Sequence, residues 1–290
     1  MIIPLRNINH DEQGFESLCD LYDKTKTFFL ETVEFDMSKT TWFDADMCAP
    51  FGAILYKLGE MLNTIKFLHI NQKVNEILLK NGFLSHYGQS KIPDSYSTTI
   101  PYFRFDAKDD RYFAVYIEQK LMNRDEIPNM SLGLKKRFRE SIFEIFSNAV
   151  IHSQTKLGIF TCGQFFPKKN EISFTVADVG IGICQNVREH IKRDIAPEEA
   201  IEWATQERNT TKKGSIPGGL GLKLLKEFVD LNGGSIQIVS QNGYWKREKR
   251  VTVKKRFANG FPGTVVSVKI NTLDTNKYCL AEELTEADIF

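Results

Sequence analysis

The stretch Glu140-Ser-Ile-Phe-Glu-Ile-Phe-Ser-Asn-Ala-Val-Ile-His-Ser153 decides the fold prediction for this chain. At helical pitch, Glu140, Glu144, Asn148 and His152 recur every four residues and share one stripe, while apolar side chains cover most of the remaining surface. A polar stripe on a mostly apolar helix predicts that the helix faces a polar site inside the protein. The alternative is a surface helix whose Glu and Asn side chains meet water.

Three further segments follow this helix in a fixed order. Asp178-Val-Gly-Ile-Gly182 closes an apolar run at 172–177, which is typical of a buried strand. Pro217-Gly-Gly-Leu-Gly-Leu222 opens a second helical segment at 223–232, which two glycines end. Gly263-Thr264 then begins a last strand.

Together these segments resemble the GHKL ATPase superfamily, the nucleotide-binding fold that gyrase-type topoisomerases, Hsp90, MutL, histidine kinases and anti-sigma-factor serine kinases share. Glu144, Asn148 and His152 resemble its N box, and residues 178–182 and 219–222 resemble its first and second glycine boxes. A single short glycine motif recurs by chance, whereas the boxes in this order at these separations are far more specific.

The resemblance implies a C-terminal ATP-binding domain over residues 100–275, of which roughly 131–272 carry the likeness. Its expected fold is the GHKL (Bergerat) α/β sandwich, in which a helical layer covers a mixed sheet. One departure lies in the second glycine box, because Pro217 stands where sensor kinases usually carry a further glycine. That departure puts the hinge of the ATP lid in doubt, and not the phosphate contacts.

The residue types in these boxes fit the binding of Mg-ATP. A buried carboxylate at Asp178 can accept a hydrogen bond from the exocyclic amine of a purine, and Gly180 and Gly182 can approach a flat base closely. Asn148 offers a neutral oxygen to Mg²⁺ that remains bound to phosphates and water. Glu144 can orient or deprotonate an attacking hydroxyl or water, which makes it the candidate catalytic residue.

The second glycine box provides the candidate phosphate site, because its glycines expose backbone N–H groups where a helix begins. Matching positions in the family do these jobs. For His152 two alternatives stay open, a nucleotide contact and a histidine packed at the end of its helix. The predicted nucleotide-binding set comprises Asn148, which is also the predicted Mg²⁺ ligand, His152, Asp178, Gly180, Gly182, Thr211, Gly218, Gly219, Leu220, Gly221 and Thr264.

Two polar segments carry further predictions. Residues 206–216 resemble the ATP lid of the family, from which Arg208, Lys212 and Lys213 can fold over phosphates, although a solvated loop fits equally well. The basic stretch at 244–257, with its aromatic neighbours, can meet nucleic acid or an acidic protein face. It can also form a solvated hairpin whose lysines protect the edge of a sheet.

Residues 1–90 alternate strand and helix signals, which predicts a small sheet flanked by helices. Within them, residues 33–84 resemble the STAS domain of anti-sigma-factor antagonists, in pattern more than in individual residues. Asp46, or Ala45 if the register shifts by one, stands at the phosphorylatable serine of that family. Neither can carry a phosphate ester. Asp46 either imitates a phosphoserine weakly, or the loop merely caps the following helix, with Asp44 or Asp46 near the N-terminus of that helix.

The bulk composition fits a two-domain α/β protein. The chain has 290 residues and a formal net charge of +1, so global electrostatics predicts no special partner. Residues 91–99 are the predicted linker, and residues 276–290 are a predicted acidic tail. Five dispersed cysteines predict reduced thiols. With no secretory signal and no apolar run long enough to span a bilayer, the expected location is cytoplasmic.

These features predict an ATP-binding regulatory protein of the GHKL type, a Mg-ATP-dependent switch with slow ATPase or serine/threonine kinase activity. The alternative is a non-catalytic, nucleotide-gated module whose STAS-like part docks a protein partner. The expected ligands are ATP or ADP with Mg²⁺. The expected partner is a STAS-like or other regulatory protein, a homodimer stays open, no membrane is expected, and nucleic acid depends on the basic stretch.

Overall fold

The computed structural model describes residues 1–153, 155–206, 209 and 220–283, with only the backbone at His152, Leu220 and Gly221. In this part of the chain, a three-stranded sheet is followed by a five-stranded sheet, and helices pack on both.

The N-terminal sheet is parallel, with the strand order β1-β2-β3. Each strand returns to the next through a helix, which is the connection that parallel neighbours require. The alternation of strands and helices that the sequence predicts is therefore present. The strands are β1 (Ile2–Pro4), β2 (Thr32–Asp36) and β3 (Thr64–Leu68), and the helices are α1 (Glu12–Thr25), α2 (Cys48–Glu60) and α3 (Gln72–Lys80).

The second sheet has the strand order β4-β5-β6-β8-β7. Every adjacent pair is antiparallel, so the expectation of a mixed sheet is wrong. The reason is that β8 lies between β6 and β7 and runs opposite to both. The strands are β4 (Thr99–Phe105), β5 (Ile159–Phe166), β6 (Glu171–Asp178), β7 (Ser235–Glu248) and β8 (Val251–Asn271), and the helices are α4 (Asp110–Ile117), α5 (Leu132–His152), α6 (Gly182–Ile191), α7 (Pro197–Thr205) and α8 (Leu220–Asn232).

Local sequence explains where the two helices that matter most for the site begin. Helix α5 starts at the N-cap Ser131, whose hydroxyl accepts a hydrogen bond from the backbone N–H of Leu134 at 3.0 Å. Helix α7 starts with Pro197 in its first turn, followed by two glutamates. Proline has no N–H to leave unpaired there, and the acidic side chains favour the positive end of the helix dipole.

Both faces of the five-stranded sheet are covered. Helices α4, α5 and α8 bury one face in an aromatic core that includes Phe113, Phe146 and Phe228. The N-terminal unit covers the other face, where Phe160 and Val265 of the sheet belong to the same buried cluster as the apolar side chains of α1 and α2. The sheet is therefore the centre of a layered molecule in which the N-terminal unit packs against the back of the C-terminal one.

A buried polar cluster at this junction overturns both interpretations of Asp46. Its side chain is fully buried and lies 2.8 Å from Nδ1 of His10, and it accepts a hydrogen bond from the hydroxyl of Thr175 on β6 at 3.0 Å. A carboxylate in this position neither caps a helix nor presents a phosphoserine-like charge to a partner. The backbone of the same loop is also bonded to the sheet, since the N–H of Ala45 donates to Oε1 of Gln164 on β5 at 2.6 Å.

The basic stretch forms the tip of a long β7–β8 hairpin. Its aromatic side chains Tyr244, Trp245 and Phe257 are buried and cannot stack on nucleic-acid bases. Arg256 and Lys254 form ion pairs with glutamates of α7, and further basic residues pair with other acidic groups of this chain. The hairpin prediction is confirmed, with the addition that much of its charge is neutralised within the molecule.

The C-terminal segment, as far as Glu283, is held against the start of α5. Backbone groups of Met130 and Tyr278 form a bridge, and the Glu283 carboxylate accepts hydrogen bonds from the Ser131 hydroxyl and from the backbone N–H of Gly133. The rest of the predicted acidic tail lies outside the described residues. Within the described ranges, no helix combines the length and the apolar character needed to cross a membrane.

Candidate functional site

A pocket opens between α5 and the end of the five-stranded sheet, with α6, α7 and α8 closing its other sides. It encloses about 960 Å³ of space, a volume that includes open solvent at its mouth. Its wall is largely apolar, with a few polar groups that converge on it. The lining side chains include Glu144, Asn148, Ser153, Asp178, Ile183, Asn186, Trp203, Thr205, Asn209, Leu222, Ile238, Thr264 and Val266.

Helix α5 forms one wall, as the four-residue polar stripe predicts. Glu144 and Asn148 both line the pocket, together with Ile145 and Ala149 of the same helical face. Glu140, one turn earlier on the stripe, is not part of the wall and forms an ion pair with Arg137. The stripe therefore divides into a pocket end and a surface end.

Asp178 lies at the base of the pocket, where β6 ends. It is 4% exposed and stands opposite Thr264 in the β6–β8 register. Burial raises the pKa of its carboxyl to about 7, although backbone N–H groups of Gly180 and Thr264 act in the opposite direction. Its Oδ1 atom is buried and has no hydrogen-bond donor among the described residues. A ligand that donates a hydrogen bond would satisfy this atom.

The two glycines of the first glycine box lie in different surroundings. Gly182 lines the pocket at φ +79°, a left-handed conformation that favours glycine, and α6 begins there. Gly180 does not line the pocket, because it packs against the end of α5. A Cβ atom at Gly180 would lie 2.1 Å from the carbonyl oxygen of Ser153. Gly180 therefore supports the junction of β6 with α5, and its expected contact with the base stays a prediction.

Gly263 on β8, like Gly180, permits two segments of the chain to approach closely. A Cβ atom at Gly263 would lie 2.2 Å from the carbonyl oxygen of Asp178. Only glycine lets β8 approach the backbone of Asp178 this closely. The Gly263-Thr264 pair predicts a strand start, whereas β8 already begins at Val251, and the pair does not reveal that a second chain segment lies beside it.

Part of the predicted phosphate site cannot be compared with the structure. Thr211, Gly218 and Gly219 lie outside the described residues, as do Arg208, Lys212 and Lys213 of the predicted lid. The backbone of Leu220 and Gly221 already belongs to α8, so the helix includes the end of the second glycine box and extends farther toward the N-terminus than the predicted 223–232. His152 ends α5, and only its backbone is described.

Several pocket residues were not predicted from the sequence. Asn186 lies one helical turn after Gly182 on α6, where its Nδ2 donates to the Gly182 carbonyl at 3.0 Å. The sequence signal for Asn186 was its position four residues after Gly182, which places both residues on the same face of a helix. Trp203 and Thr205 enter the wall from the end of α7. No local motif marks them, because the packing of α7 on the sheet brings them to the pocket.

The comparison with known families supports the C-terminal resemblance. Residues 133–270 match the family model described as histidine kinase-, DNA gyrase B-, and HSP90-like ATPase. The pocket lies within that match, so the molecule carries a GHKL-type ATPase domain at residues 133–270. No family model supports the STAS resemblance of the N-terminal unit. No curated protein matches the chain by sequence.

The described side chains fit the nucleotide that this family binds. The buried acceptor atom of Asp178 meets the need of a purine amine, and apolar side chains such as Val176, Ile238 and Val266 flank it. Glu144 and Asn148 bring oxygen atoms to the opposite wall. Within the described part of the chain, no group of three or more His, Cys, Asp or Glu residues could bind a metal unaided. The donor set suits Mg²⁺ that shares its coordination with phosphates and water.

Proposed function

We propose that residues 133–270 bind Mg-ATP in this pocket and that the chain is an ATP-dependent regulatory switch. The observation that carries the proposal is the Asp178 carboxylate, buried at the base of the pocket with one oxygen lacking a donor among the described residues. Leaving a buried polar atom unpaired costs about 1–3 kcal/mol, so such an atom in a cavity indicates a ligand.

In the proposal each wall has its own task. Asp178 accepts a hydrogen bond from the exocyclic amine of adenine, and the apolar side chains around it exclude water from the base. Asn148 contributes its side-chain oxygen to Mg²⁺. The bound nucleotide supplies a transferable γ-phosphoryl group. Glu144, one turn before Asn148 on the same wall, orients the attacking hydroxyl or water and takes its proton.

Three outcomes of binding are compatible with this arrangement. A slow ATPase would use water as the nucleophile, whereas a serine/threonine kinase would use the hydroxyl of a partner protein. A nucleotide-gated binding module would use the Asp178 contact alone and would need no chemistry at Glu144. The proposed regulatory partner, STAS-like or otherwise, belongs to the kinase and module forms of the proposal. A cytoplasmic location is part of the proposal, since that compartment supplies ATP.

The test is release of γ-phosphate from radiolabelled Mg-ATP by the purified chain, with total protein checked for label. Glu144→Ala should abolish turnover and retain binding, while Asp178→Ala should lose binding. Glu140→Ala is the matched control, because it removes the same side chain one turn away from the pocket. Label on protein selects the kinase, and free phosphate selects the ATPase.

Binding without turnover would favour the module. Turnover that persists at the wild-type rate in Glu144→Ala would contradict the role given to this carboxylate. Failure of the wild-type chain to bind Mg-ATP would contradict the proposal as a whole.

A further inference from the structure

The β7–β8 hairpin packs against helix α7 from its start to Glu202. At the start of α7, a Cβ atom at Gly243 would lie 2.7 Å from the backbone nitrogen of Glu198, so the strand and the helix are in direct backbone contact. Next, Nε and Nη2 of Arg256 donate to the two carboxylate oxygens of Glu198, each at 3.0 Å. This is the bidentate geometry in which an arginine holds a carboxylate most firmly.

Further contacts lie toward the end of α7. Lys254 Nζ donates to Glu199 at 2.8 Å, and the buried indole N–H of Trp245 donates to Glu202 at 2.6 Å. Lys226 of α8 lies over the Trp245 ring, 5.9 Å from its centroid, and donates to the carbonyl oxygen of Thr205 at 3.2 Å. Thr205, the last residue of α7, is therefore also bonded to α8.

The alternation of side chains along a strand explains why one hairpin reaches two helices. Gly243 pairs with Arg256 and Trp245 with Lys254, so these four residues lie on the face toward α7. The intervening Tyr244–Lys255 pair lies on the opposite face. There, Lys255 donates to Glu12 of α1 at 2.6 Å. Asn259, farther along β8, donates to Asp20 of α1 at 2.9 Å.

Helix α7 matters because its end is part of the pocket. Trp203, Ala204 and Thr205 all line the same cavity as Glu144 and Asn148 of α5. The chain enters the segment 206–216 directly after Thr205. The position of α7 therefore sets both one wall of the pocket and the point from which the predicted lid starts.

We infer that the β7–β8 hairpin is a clamp that positions α7 for nucleotide binding, with Trp245, Lys254 and Arg256 as its positioning residues. The clamp rests on the proposed function, because its purpose is the geometry of the same pocket. Its basic residues act on acidic groups of this chain and not on an external anion. Through Lys255 and Glu12 it also ties the pocket wall to the N-terminal unit.

The test is hydrogen exchange of the backbone amides at 200–205 in the nucleotide-free chain, together with Mg-ATP affinity. The variant is Trp245→Phe with Arg256→Gln, which keeps the aromatic ring but removes the indole donor and the guanidinium fork. Exchange at 200–205 should become about 10-fold faster, and the Kd for Mg-ATP should rise about 3- to 10-fold. Exchange in β5 should not change, which excludes global unfolding.

Two further variants separate positioning from simple loss of charge. Lys246→Gln removes a positive charge from the same hairpin, where Lys246 pairs with Glu248 and not with α7, and should change neither readout. The exchanged pair Arg256→Glu with Glu198→Arg should restore slow exchange and affinity relative to Arg256→Glu alone.

Unchanged exchange at 200–205 in the Trp245→Phe, Arg256→Gln variant would overturn the clamp. Faster exchange with unchanged affinity for Mg-ATP would overturn its role in positioning the pocket. If the wild-type chain fails to bind Mg-ATP, the proposed function fails and the positioning role fails with it. The exchange measurement on nucleotide-free protein would still show whether the hairpin holds α7, so the two failures are distinguishable.

Discussion

Asp178 is the residue at which stability and the proposed function conflict. Its side chain is almost entirely buried, and burial raises its pKa to about 7. An ionised carboxylate is costly in such a place unless a ligand donates to it. A buried carboxylate at position 178 is understandable if it recognises a ligand, because a hydrogen bond donated by the ligand offsets the cost of burying the charge.

This conflict predicts how stability depends on pH. The native state binds more protons than the unfolded state between pH about 4 and 7, so the contribution of Asp178 to the free energy of unfolding falls as pH rises through that window. Asp178→Asn removes the cost and should stabilise the nucleotide-free chain at pH 8, by up to about 4 kcal/mol, and much less at pH 5. Urea unfolding at the two pH values measures this, and a difference that is independent of pH would contradict it.

Asp46 makes a second prediction at the residue scale. Burial opposes its ionised form, but the nearby His10 and the hydroxyl of Thr175 outweigh burial and hold the pKa of Asp46 below its ordinary value. Asp46→Ala leaves His10 buried without this partner and should lower the free energy of unfolding by about 3–5 kcal/mol.

The control for Asp46 is Asp23→Ala, which removes an exposed partner of Lys26 and should cost less than about 1 kcal/mol. Chemical unfolding of both variants compares them directly. Equal effects would mean that the buried cluster is not a structural element of the junction.

At the scale of elements, the pocket depends on how α5 meets the sheet. Gly180 permits the β6–α6 connection to pass directly beside the end of α5, and the N–H of Ile181 donates to the Ser153 carbonyl at 2.9 Å. This contact fixes the distance between the α5 wall and the Asp178 wall. A side chain at Gly180 would separate them.

Gly180→Ala should therefore destabilise the fold and weaken Mg-ATP binding together, with a cost of about 1–3 kcal/mol for the overpacking. Gly59→Ala is a suitable control, because a Cβ at this helical position meets no atom within 4 Å. The control should be neutral or stabilising, by at most about 1 kcal/mol. Thermal unfolding and calorimetric binding test both, and a Gly180→Ala chain with wild-type affinity would contradict the account.

The elements also show what could be predicted from the sequence. The polar stripe on α5, the strand that ends at Asp178 and the start of α8 follow from local periodicity and glycine placement, and the structure contains all three. The packing of Gly180 against Ser153 and the burial of Asp46 against Thr175 could not be predicted, because both depend on segments distant in sequence. Trp203 and Thr205 were not predicted either, because only tertiary packing brings α7 to the pocket.

At the scale of the whole molecule, one sheet serves two cores. The pocket face packs against α5 and α8, and the opposite face packs against the N-terminal unit. Pattern alone could not show this, because β5 has apolar residues on both faces, such as Ile159 and Phe160, and does not reveal which layer covers each face. The N-terminal and C-terminal units therefore stabilise each other through this one sheet.

A chain that begins at residue 91 should consequently fold poorly. Its sheet would expose side chains such as Phe160, Cys162 and Val265, all of which are fully buried in the full chain. Exposed apolar surface of this kind promotes association. We expect aggregation or strong binding of a hydrophobic dye, measured by light scattering and fluorescence. A soluble, monomeric truncated chain with wild-type Mg-ATP affinity would contradict the structural role of the N-terminal unit.

The central claim is that Asp178 reads the purine edge of a nucleotide, and calorimetric titration of the full chain with Mg-ATP and Mg-ITP tests it most directly. Inosine carries an oxygen where adenine carries the exocyclic amine, so it offers the buried carboxylate an acceptor in place of a donor. We expect ATP to bind at least about 10-fold more tightly than ITP, and Asp178→Asn to remove most of this preference. Equal affinities for the two nucleotides in the wild-type chain would contradict it.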